Sequence, residues 1–465
     1  MTPAPRRRRA VVLVGGPVAP YSRAIRIGRA LAAEGFDVEI AAVAGAGLPE
    51  REPVPPGRPG ATGSPEPRPD EMGTVEIRRY RPSGPWRFLG ASDAAGTRTG
   101  DPDSASSPAG RSSSPGRILR RVTAPLLTFR RWTFWPHAVR GWWATLSREL
   151  APADVYHACG ALTIAAALAA RDRHPTGPVG IAARVVYDAI DDVADSNETS
   201  LMPAMIRRRI RRRERAWARS ADAVVTVNDA LVARLGARYG RNAGILVVPN
   251  YPEPGVTDAE AANRLRKAAG VGPDERIVLF QGRLGPGLGL DAAAEAVLAV
   301  PHAVLVLMGF GRGMAASVAR DRDPRFAGRH MTLPAVHPDE LATWTGGADL
   351  MVIPLPPLSA NQRDSTPNKF WEAIAAGVPV VVVSGLREME RLVDSLDLGV
   401  VAASGGAKDL AAAIRVGLDR LAAGGPDWRA QIAQTGAERF SWPATATAYR
   451  ALVRELADPK TGTKA

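Results

Sequence analysis

The chain has 465 residues, of which 45% are hydrophobic and 23% charged, so it is long enough for about two to four domains with buried cores. Its single cysteine excludes a disulfide framework and a cysteine-cluster metal site, and the lack of an uncharged apolar run of ~20 residues argues against a membrane-spanning helix. The net charge of +13 is concentrated, because residues 117–150 hold seven arginines with one acid and residues 205–219 hold eight arginines with one acid.

The N-terminal half alternates strand-like and helix-like segments. The apolar run Val11 to Val14 follows four arginines, and we interpret it as a first strand rather than as part of a leader peptide. A turn at Gly15 and Gly16, an amphipathic segment and a strand over 38–43 come next, which is typical of a βαβ unit in a doubly wound sheet. Further strand-like runs occupy 74–78, 154–157, 183–187, 223–227 and 245–250. We therefore predict a Rossmann-like domain over residues 1–252.

Two segments of this half differ from the rest. Residues 45–71 and 82–116 are rich in proline, glycine, serine and aspartate and contain few large apolar side chains. Such segments do not bury enough apolar surface to offset the entropy lost on ordering. We expect both to be disordered insertions.

The pattern of strand, glycine-rich loop and helix starts again at Ile277. Strand-like runs occupy 277–281, 303–308, 350–354 and 378–383. This predicts a second Rossmann-like domain over residues 253–440. An amphipathic segment from Trp442 to Leu456 lies in the terminal region 441–465, and we expect it to pack back across the domains.

The most informative segment lies between Asp364 and Val380. Thr366 is a typical helix N-cap, Pro367 fits the first helical position, and Gly377 is typical of a helix end. The sequence therefore predicts a short helix that leads into a strand.

The N-terminus of this predicted helix is an expected anion site. The amide groups of residues 368–370 and the helix dipole would face a diphosphate, and the Lys369 ammonium would reinforce them. Asp364 and Glu372 add two carboxylates eight positions apart. Because carboxylates accept hydrogen bonds from hydroxyl groups, one can reach a sugar hydroxyl while the other binds a ribose.

This pair of acids resembles the Glu-x7-Glu donor motif of the retaining GT-B glycosyltransferases, particularly glycosyltransferase family 4, with Asp364 in place of the first glutamate and Glu372 as the second. Other segments match the family in order along nearly the whole chain outside the insertions: 15–16, 154–158, 186–188, 221–227, 248–250, 282–284 and 308–311. The resemblance implies an α/β fold of the GT-B type, in which two Rossmann-like domains face each other across a cleft and a C-terminal helix crosses back.

The resemblance also implies an activity. A nucleotide-diphosphate sugar binds the C-terminal domain, an acceptor binds the N-terminal domain, and the glycosyl group moves with retention through an oxocarbenium-like state. No cofactor other than this co-substrate and no essential metal is expected. The implied catalytic residues are His157, Arg283, Asp364 and Glu372. The implied donor-binding residues are Gly15, Gly16, Gly282, Gly309, Ser365, Thr366, Asn368 and Lys369.

Some positions depart from the family pattern. Arg283 matches the arginine of the family's basic pair at the donor diphosphate, but Leu288 stands where the lysine is expected. Phosphate binding should then depend more on Arg283, Lys369 and backbone amides. Leu288 and Asp364 also favour an alternative, a catalytically impaired GT-B scaffold. A basic nucleic-acid-binding protein is a further alternative, although such a protein requires neither the two-domain pattern nor the Asp364–Glu372 helix.

The basic stretches indicate a partner. Residues 117–150 interleave arginine with four tryptophans, a composition typical of a surface that lies on anionic lipid, and residues 205–219 read as a basic helix. Tryptophans packed in a core beneath a solvated arginine face explain the same pattern equally well. Since both stretches fall in the acceptor half, we expect a lipid-linked or glycan acceptor, as in polysaccharide or glycolipid assembly. The expected location is the cytoplasmic face of the plasma membrane, bound peripherally, with no nucleic-acid partner.

Overall fold

The computed structural model describes residues 7–18, 22–45, 47–57, 72–81, 145–196, 199, 202–241, 244–253, 259–337 and 340–458. Within these residues the chain forms two largely parallel sheets, each flanked by helices. The first sheet uses strands before residue 248 and the second uses strands after residue 275.

The first sheet has the strand order β3-β4-β2-β1-β5-β6-β7-β8. Its strands are β1 (Arg8–Val14), β2 (Phe36–Val43), β3 (Arg51–Pro53), β4 (Val75–Tyr80), β5 (Val155–Cys159), β6 (Arg184–Asp188), β7 (Ala223–Thr226) and β8 (Ile245–Val247). The helices are α1 (Ser22–Ala32), α2 (Ile164–Arg173), α3 (Ala204–Ser220) and α4 (Asp229–Tyr239), with a 3-10 turn at Val193–Asp195. Strand β1 is central because its continuous apolar run, Val11 to Val14, is buried on both faces of the sheet.

The second sheet has the order β11-β10-β9-β12-β13-β14, and its paired strands are parallel. Its strands are β9 (Arg276–Arg283), β10 (Ala303–Phe310), β11 (His330–Pro334), β12 (Leu350–Ile353), β13 (Val380–Val383) and β14 (Gly399–Ala402). The helices are α5 (Ala259–Ala269), α6 (Leu290–Leu298), α7 (Met314–Asp321), α8 (Leu341–Gly346), α9 (Ala360–Asp364), α10 (Asn368–Ala375), α11 (Arg387–Leu396) and α12 (Ala407–Arg439). The four buried valines of β13 are typical of a strand covered by helices on both faces.

The last helix, α13 (Trp442–Leu456), returns to the first domain. Trp442, Tyr449 and Val453 are buried in the same apolar cluster as β1 and α1, and Arg450 pairs with Glu34 at 2.5 Å. The predicted α/β architecture, with two Rossmann-like sheets and a C-terminal helix that crosses back, is confirmed. Among the helices described, none combines the length and apolar character needed to cross a bilayer.

The two predicted insertions are only partly covered by these ranges. Residues 58–71 and 82–116, and residues 117–144 of the Arg/Trp-rich stretch, lie outside the described residues. Within the first segment, Arg51–Pro53 forms the edge strand β3, antiparallel to β4, and Glu52 pairs with Arg79 at 2.6 Å. The prediction of disorder is therefore wrong for these three residues, since pairing along a sheet edge orders a strand that contributes little to the core.

Candidate functional site

A cavity of about 750 Å³ lies between the two domains. It is lined at the carboxyl ends of β1, β5 and β6 on one side and of β9, β10 and β11 on the other. Parallel sheets place their ligands at this edge, outside the carboxyl ends of the strands. The volume also falls in the range of small-molecule and cofactor sites. The cavity is therefore the candidate site.

Helix α10 presents three predicted site residues to this cavity. Asn368, Lys369 and Glu372 line it, whereas Phe370 and Ile374 are buried in the C-terminal core. This division follows the helical period, which places positions 368, 369 and 372 on one face.

The N-terminus of α10 differs in detail from the prediction. Pro367, with ψ of 154°, is the N-cap, and Thr366 makes no capping hydrogen bond. The Phe370 amide already donates to the Pro367 carbonyl at 2.9 Å. Of the three backbone amides expected to bind an anion at residues 368–370, only those of Asn368 and Lys369 remain available, because a helix N-terminus leaves them without an intrahelical acceptor. Ser365 and Thr366 precede the helix and do not line the cavity.

The Lys369 ammonium lies against the end of β9. Its Nζ is 3.5 Å from the centre of the Phe280 ring and would be 3.6 Å from a Cβ placed on Gly282. Burial lowers the pKa of Lys369 to about 7; the neighbouring Glu372 carboxylate opposes this change and Arg283 adds to it. A cation held in this way gains most when an anion binds beside it.

The Glu372 carboxylate is held by the core of its own domain. The Gln281 side-chain amide donates to Glu372 Oε2 at 2.6 Å, and Gln281 Oε1 accepts from the Thr345 hydroxyl at 2.8 Å. Burial raises the pKa of Glu372, while the hydrogen bond from Gln281 and the charges of Arg26 and Lys369 act in the opposite direction. This chain of bonds fixes the carboxylate at the cavity wall.

Arg283 is the last residue of β9 and is exposed at the cavity. The preceding Gly282 has a φ of +109°, a left-handed conformation that favours glycine. A Cβ on Gly309 would lie 1.8 Å from the Gly282 carbonyl oxygen, so Gly309 allows the backbones of β9 and β10 to approach closely. Gly309 itself does not line the cavity. Leu288 packs against the C-terminal core and is likewise absent from the cavity wall.

Gly15 and Gly16 line the opposite side of the cavity. A Cβ on Gly15 would lie 3.2 Å from Leu162, which follows β5, whereas a Cβ on Gly16 would meet nothing within 4 Å. Both glycines belong to the N-terminal domain and face the end of β9 across the cavity.

Asp364 does not line the cavity. Its buried carboxylate accepts from Arg387 Nε at 3.0 Å and Nη2 at 2.6 Å, and its other oxygen pairs with Arg234 of the N-terminal domain. Asp364 ends α9, and residues 365–367 separate it from α10. The expectation that it reaches a sugar in the cavity is therefore corrected: Asp364 and Glu372 belong to different helices, and only Glu372 lines the cavity.

His157 is enclosed in the N-terminal core, with no exposed surface. Its Nε2 is 3.2 Å from Asp188 Oδ2, and its Nδ1 is 2.9 Å from the Tyr449 hydroxyl. Burial alone would raise the pKa of Asp188, but Arg23 and His157 lower it below its usual value. The expected position of His157 at the cleft edge is therefore corrected, because an enclosed ring does not contact a ligand in the cavity.

His157, Asp188 and Cys159 bring their ligand atoms within 4.8 Å of one another, the spacing of a metal site. Asp188 uses both carboxylate oxygens for Arg23, at 2.7 and 2.8 Å, and both nitrogens of His157 have partners. A buried guanidinium at this position opposes a second cation. We assign the cluster to the support of the fold.

Several residues of the site had no clear signal in the sequence. Gln281 is a polar residue at the end of an apolar strand, which is the one local feature that points to it. Arg26 lines the cavity from α1, with its guanidinium carbon 5.5 Å from the centre of the Trp442 ring. Arg234 and Asn228 contact Asp364 from a distant part of the chain.

Comparison with known proteins identifies the C-terminal domain. Residues 275–419 match the family model for glycosyl transferases group 1. Over 259 residues the chain is 30% identical to the D-inositol 3-phosphate glycosyltransferase of Xylanimonas cellulosilytica, a match that spans 48% of this chain and 56% of that protein. The chain thus matches just over half the length of this curated relative.

Solved structures resemble the whole chain. Sucrose-phosphate synthase from Thermosynechococcus elongatus aligns with a TM-score of 0.60 and 18% identity, over 97% of this chain and 99% of that one. HepE of Anabaena, solved in complex with UDP and glucose, aligns with a TM-score of 0.57 and 13% identity, over 96% and 100%. At these identities the likeness establishes the fold, and it includes both domains.

Proposed function

We propose that this chain, which has the GT-B fold and matches the model for group 1 glycosyl transferases over residues 275–419, transfers a glycosyl group from a nucleotide-diphosphate sugar to an acceptor in the interdomain cavity. One observation carries the proposal: the N-terminus of α10, Lys369, Glu372 and Arg283 meet at one wall of that cavity. Cations and free amides suit a diphosphate, and a carboxylate suits sugar hydroxyls.

The donor would lie with its diphosphate on the Asn368 and Lys369 amides, between the Lys369 ammonium and the Arg283 guanidinium. Glu372, one turn further along α10, would accept hydrogen bonds from the ribose hydroxyls. As the bond between the sugar and the diphosphate breaks, negative charge grows on the leaving oxygen. Donors that are already in place stabilise that charge without reorganising. The resemblance to glycosyltransferase family 4 supports transfer with retention through an oxocarbenium-like state.

Lys369 would supply the second cation at the diphosphate. Leu288, at the position where the family lysine is expected, packs on the core, whereas Lys369 approaches the Gly282 and Arg283 end of β9 from α10. The basic pair would thus be kept, with one member contributed by another element. This arrangement favours an active enzyme over an impaired scaffold.

The acceptor half of the cavity favours an acceptor with an apolar part. Its wall includes Val18, Ile25, Val54, Ile77 and Leu162. Apolar walls with few polar groups are typical of sites that enclose an apolar ligand portion. The same half also contributes Arg26 and Arg29 to the wall, so a lipid-linked acceptor that carries a phosphate fits both its apolar and its basic part.

Helix α3 supports a membrane location for such an acceptor. Arg207 and Arg211 pair with Asp195. Arg208, Arg209 and Arg212, here called the basic face, are exposed next to Met205, which is 81% exposed. An arginine-rich face with an exposed apolar side chain suits an anionic lipid surface. The other predicted membrane stretch falls largely outside the described residues.

The proposal is tested by a thermal-shift screen of UDP-, GDP- and ADP-sugars followed by transfer or hydrolysis assays with the best ligand. A nucleotide sugar that binds only the native state should raise the melting temperature. Arg283→Ala should abolish turnover, while Arg276→Ala, at the opposite end of β9 and paired with Asp349, should leave it unchanged. Binding without any turnover would support the scaffold alternative, and turnover by Arg283→Ala at the wild-type rate would reject the assignment.

A further inference from the structure

Resting on the proposed function, we propose that Asp364 is a positioning residue that latches the donor-binding domain to the acceptor-binding domain and does not touch the sugar. The carboxylate lies between two arginines, one from each domain: Arg387 of α11 and Arg234 of α4. The Arg387 side chain is 61% exposed, whereas that of Arg234 is 20% exposed. The cross-domain pair is therefore the better shielded of the two and less weakened by solvent.

A second bond joins the same residue to the N-terminal domain. Asn228 Nδ2 donates to the Asp364 backbone carbonyl at 2.7 Å, and this contact is buried. The same side chain caps α4, because its Oδ1 accepts from the Leu231 amide at 2.9 Å. Asn228 is thus fixed by its own helix and presents its amide to the other domain.

Asn361, one turn earlier on α9, repeats the pattern. Its Oδ1 accepts from the Asp192 amide at 2.7 Å, and its Nδ2 donates to Asp191 Oδ1 at 3.0 Å. Asp192 is itself held by Arg238 of α4, at 2.8 Å from Nη2. Asn361 and Asp364 therefore seat α9 on a surface that the N-terminal domain has already ordered.

This contact connects directly to the donor site. Residues 365–367 alone separate Asp364 from Asn368, the first residue of α10. Ser365 and Pro367 are extended, with ψ of 149° and 154°, so α9 and α10 are separate helices joined by a short extended segment. The contacts of Asp364 with Arg234 and Asn228 are here called the latch. Arg283, Lys369 and Glu372 all belong to the C-terminal domain, so the donor site is complete without the latch. The latch instead sets where that donor stands relative to the acceptor.

The position of Asp364 also accounts for its departure from the motif. A glutamate would extend the carboxylate by one methylene, past the point at which Arg234 and Arg387 now meet it. The two arginines already use about three of the roughly four acceptor positions of this carboxylate, and Asp364 does not line the cavity. Position 364 therefore joins the domains in this chain, where the family motif implies a sugar ligand.

The test compares four variants. Asp364→Asn and Arg234→Ala remove the cross-domain ion pair, and Asn228→Ser keeps a capping oxygen while removing the amide that reaches Asp364. Arg387→Ala is the matched control, because it removes the partner from the same domain. Donor affinity is measured by calorimetry with whichever of UDP-, GDP- and ADP-glucose gives the largest thermal shift. The value of kcat/KM is measured in a transfer assay with the same donor, and interdomain opening is measured by small-angle X-ray scattering.

If the latch positions the two domains, the first three variants should bind the donor within about threefold of wild type. Their kcat/KM should fall about tenfold or more, because a small misplacement of reacting groups has effects of this size. Their radius of gyration should increase, and Arg387→Ala should match wild type. The double variant Arg234→Ala/Asp364→Asn should be no worse than either single variant, as expected for two members of one interaction.

Two results would overturn the latch. Loss of donor affinity in Asp364→Asn together with normal transfer by Arg234→Ala would make Asp364 a sugar ligand. Lower melting temperatures with unchanged kcat/KM and scattering would make the contact structural only. If wild type binds no nucleotide sugar, the proposed function fails, while scattering by the same variants still decides whether the domains are latched.

Discussion

Replacing Glu372 with glutamine isolates the charge of the carboxylate. Gln281 donates to Glu372 Oε2, and a glutamine oxygen at that position still accepts this bond, so the fold should be kept. Hydrogen bonds to a charged acceptor contribute about 1.5–3 kcal/mol, against about 0.5–1.5 kcal/mol for neutral pairs. For two ribose hydroxyls the difference is about 2–3 kcal/mol, or a loss in donor affinity of roughly 30- to 150-fold.

The assay is calorimetric titration of the nucleotide sugar into wild type and Glu372→Gln, with urea unfolding of both. Because burial raises the pKa of Glu372, the native state binds more protons than the unfolded state at a pH between the two pKa values, so ionisation of this group weakens stability as pH rises through that range. Removal of the charge should therefore leave the neutral-pH stability equal or higher. Undiminished donor affinity, or a variant that loses affinity only because it unfolds, would refute the role assigned to the carboxylate.

Three further predictions concern other parts of the chain. Lys369→Met should weaken donor binding about tenfold near pH 6 and less near pH 8.5. The reason is that the pKa of Lys369 is lowered to about 7, so the ammonium loses its charge as the pH rises. Titration of the donor at both pH values checks this, and an equal loss of affinity at both would contradict it. Tyr449→Phe should lower the free energy of unfolding by about 1–3 kcal/mol, since it leaves His157 Nδ1 without its partner, while kcat/KM of the folded protein stays unchanged. Glutamine at the three positions of the basic face should weaken binding to anionic liposomes by about 3 kcal/mol, or roughly 150-fold in affinity, as measured by cosedimentation. The charge-matched control replaces exposed arginines of the C-terminal domain: Arg264, Arg276 and Arg322. Equal losses in both triple variants would show that net charge alone governs binding.

Strands buried on both faces were predictable, because a continuous apolar run has few alternatives in an α/β chain. Val380–Val383 and Val11 to Val14 illustrate this, and both are strands in the structure. The strands without such a signal are short and lie at sheet edges: Arg51–Pro53, His330–Pro334 and Gly399–Ala402. Their order comes from pairing with a neighbour, which local sequence does not display.

The residues of the candidate site also differ in whether local sequence predicts their position. Glu372, Lys369 and Asn368 were predictable, because one helix carries them and its period puts them on one face. Asp364 and His157 were misplaced because their positions depend on partners far along the chain, Arg234 and Tyr449 in particular. The motif spacing indicates where the acids lie in the sequence but not that α9 ends at Asp364 and a new helix begins at Asn368.

The central claim, that the wall formed by Arg283, Lys369 and α10 binds a diphosphate, is tested most directly by titrating UDP, GDP and ADP into wild type and Arg283→Ala/Lys369→Met. We predict that one of these nucleotides binds wild type and that the double variant, equally stable to urea, binds it about 100-fold or more weakly, the effect of losing about 3 kcal/mol of charge-assisted contacts. Equal affinity for the two proteins, or no binding of any nucleoside diphosphate by wild type, would contradict the claim.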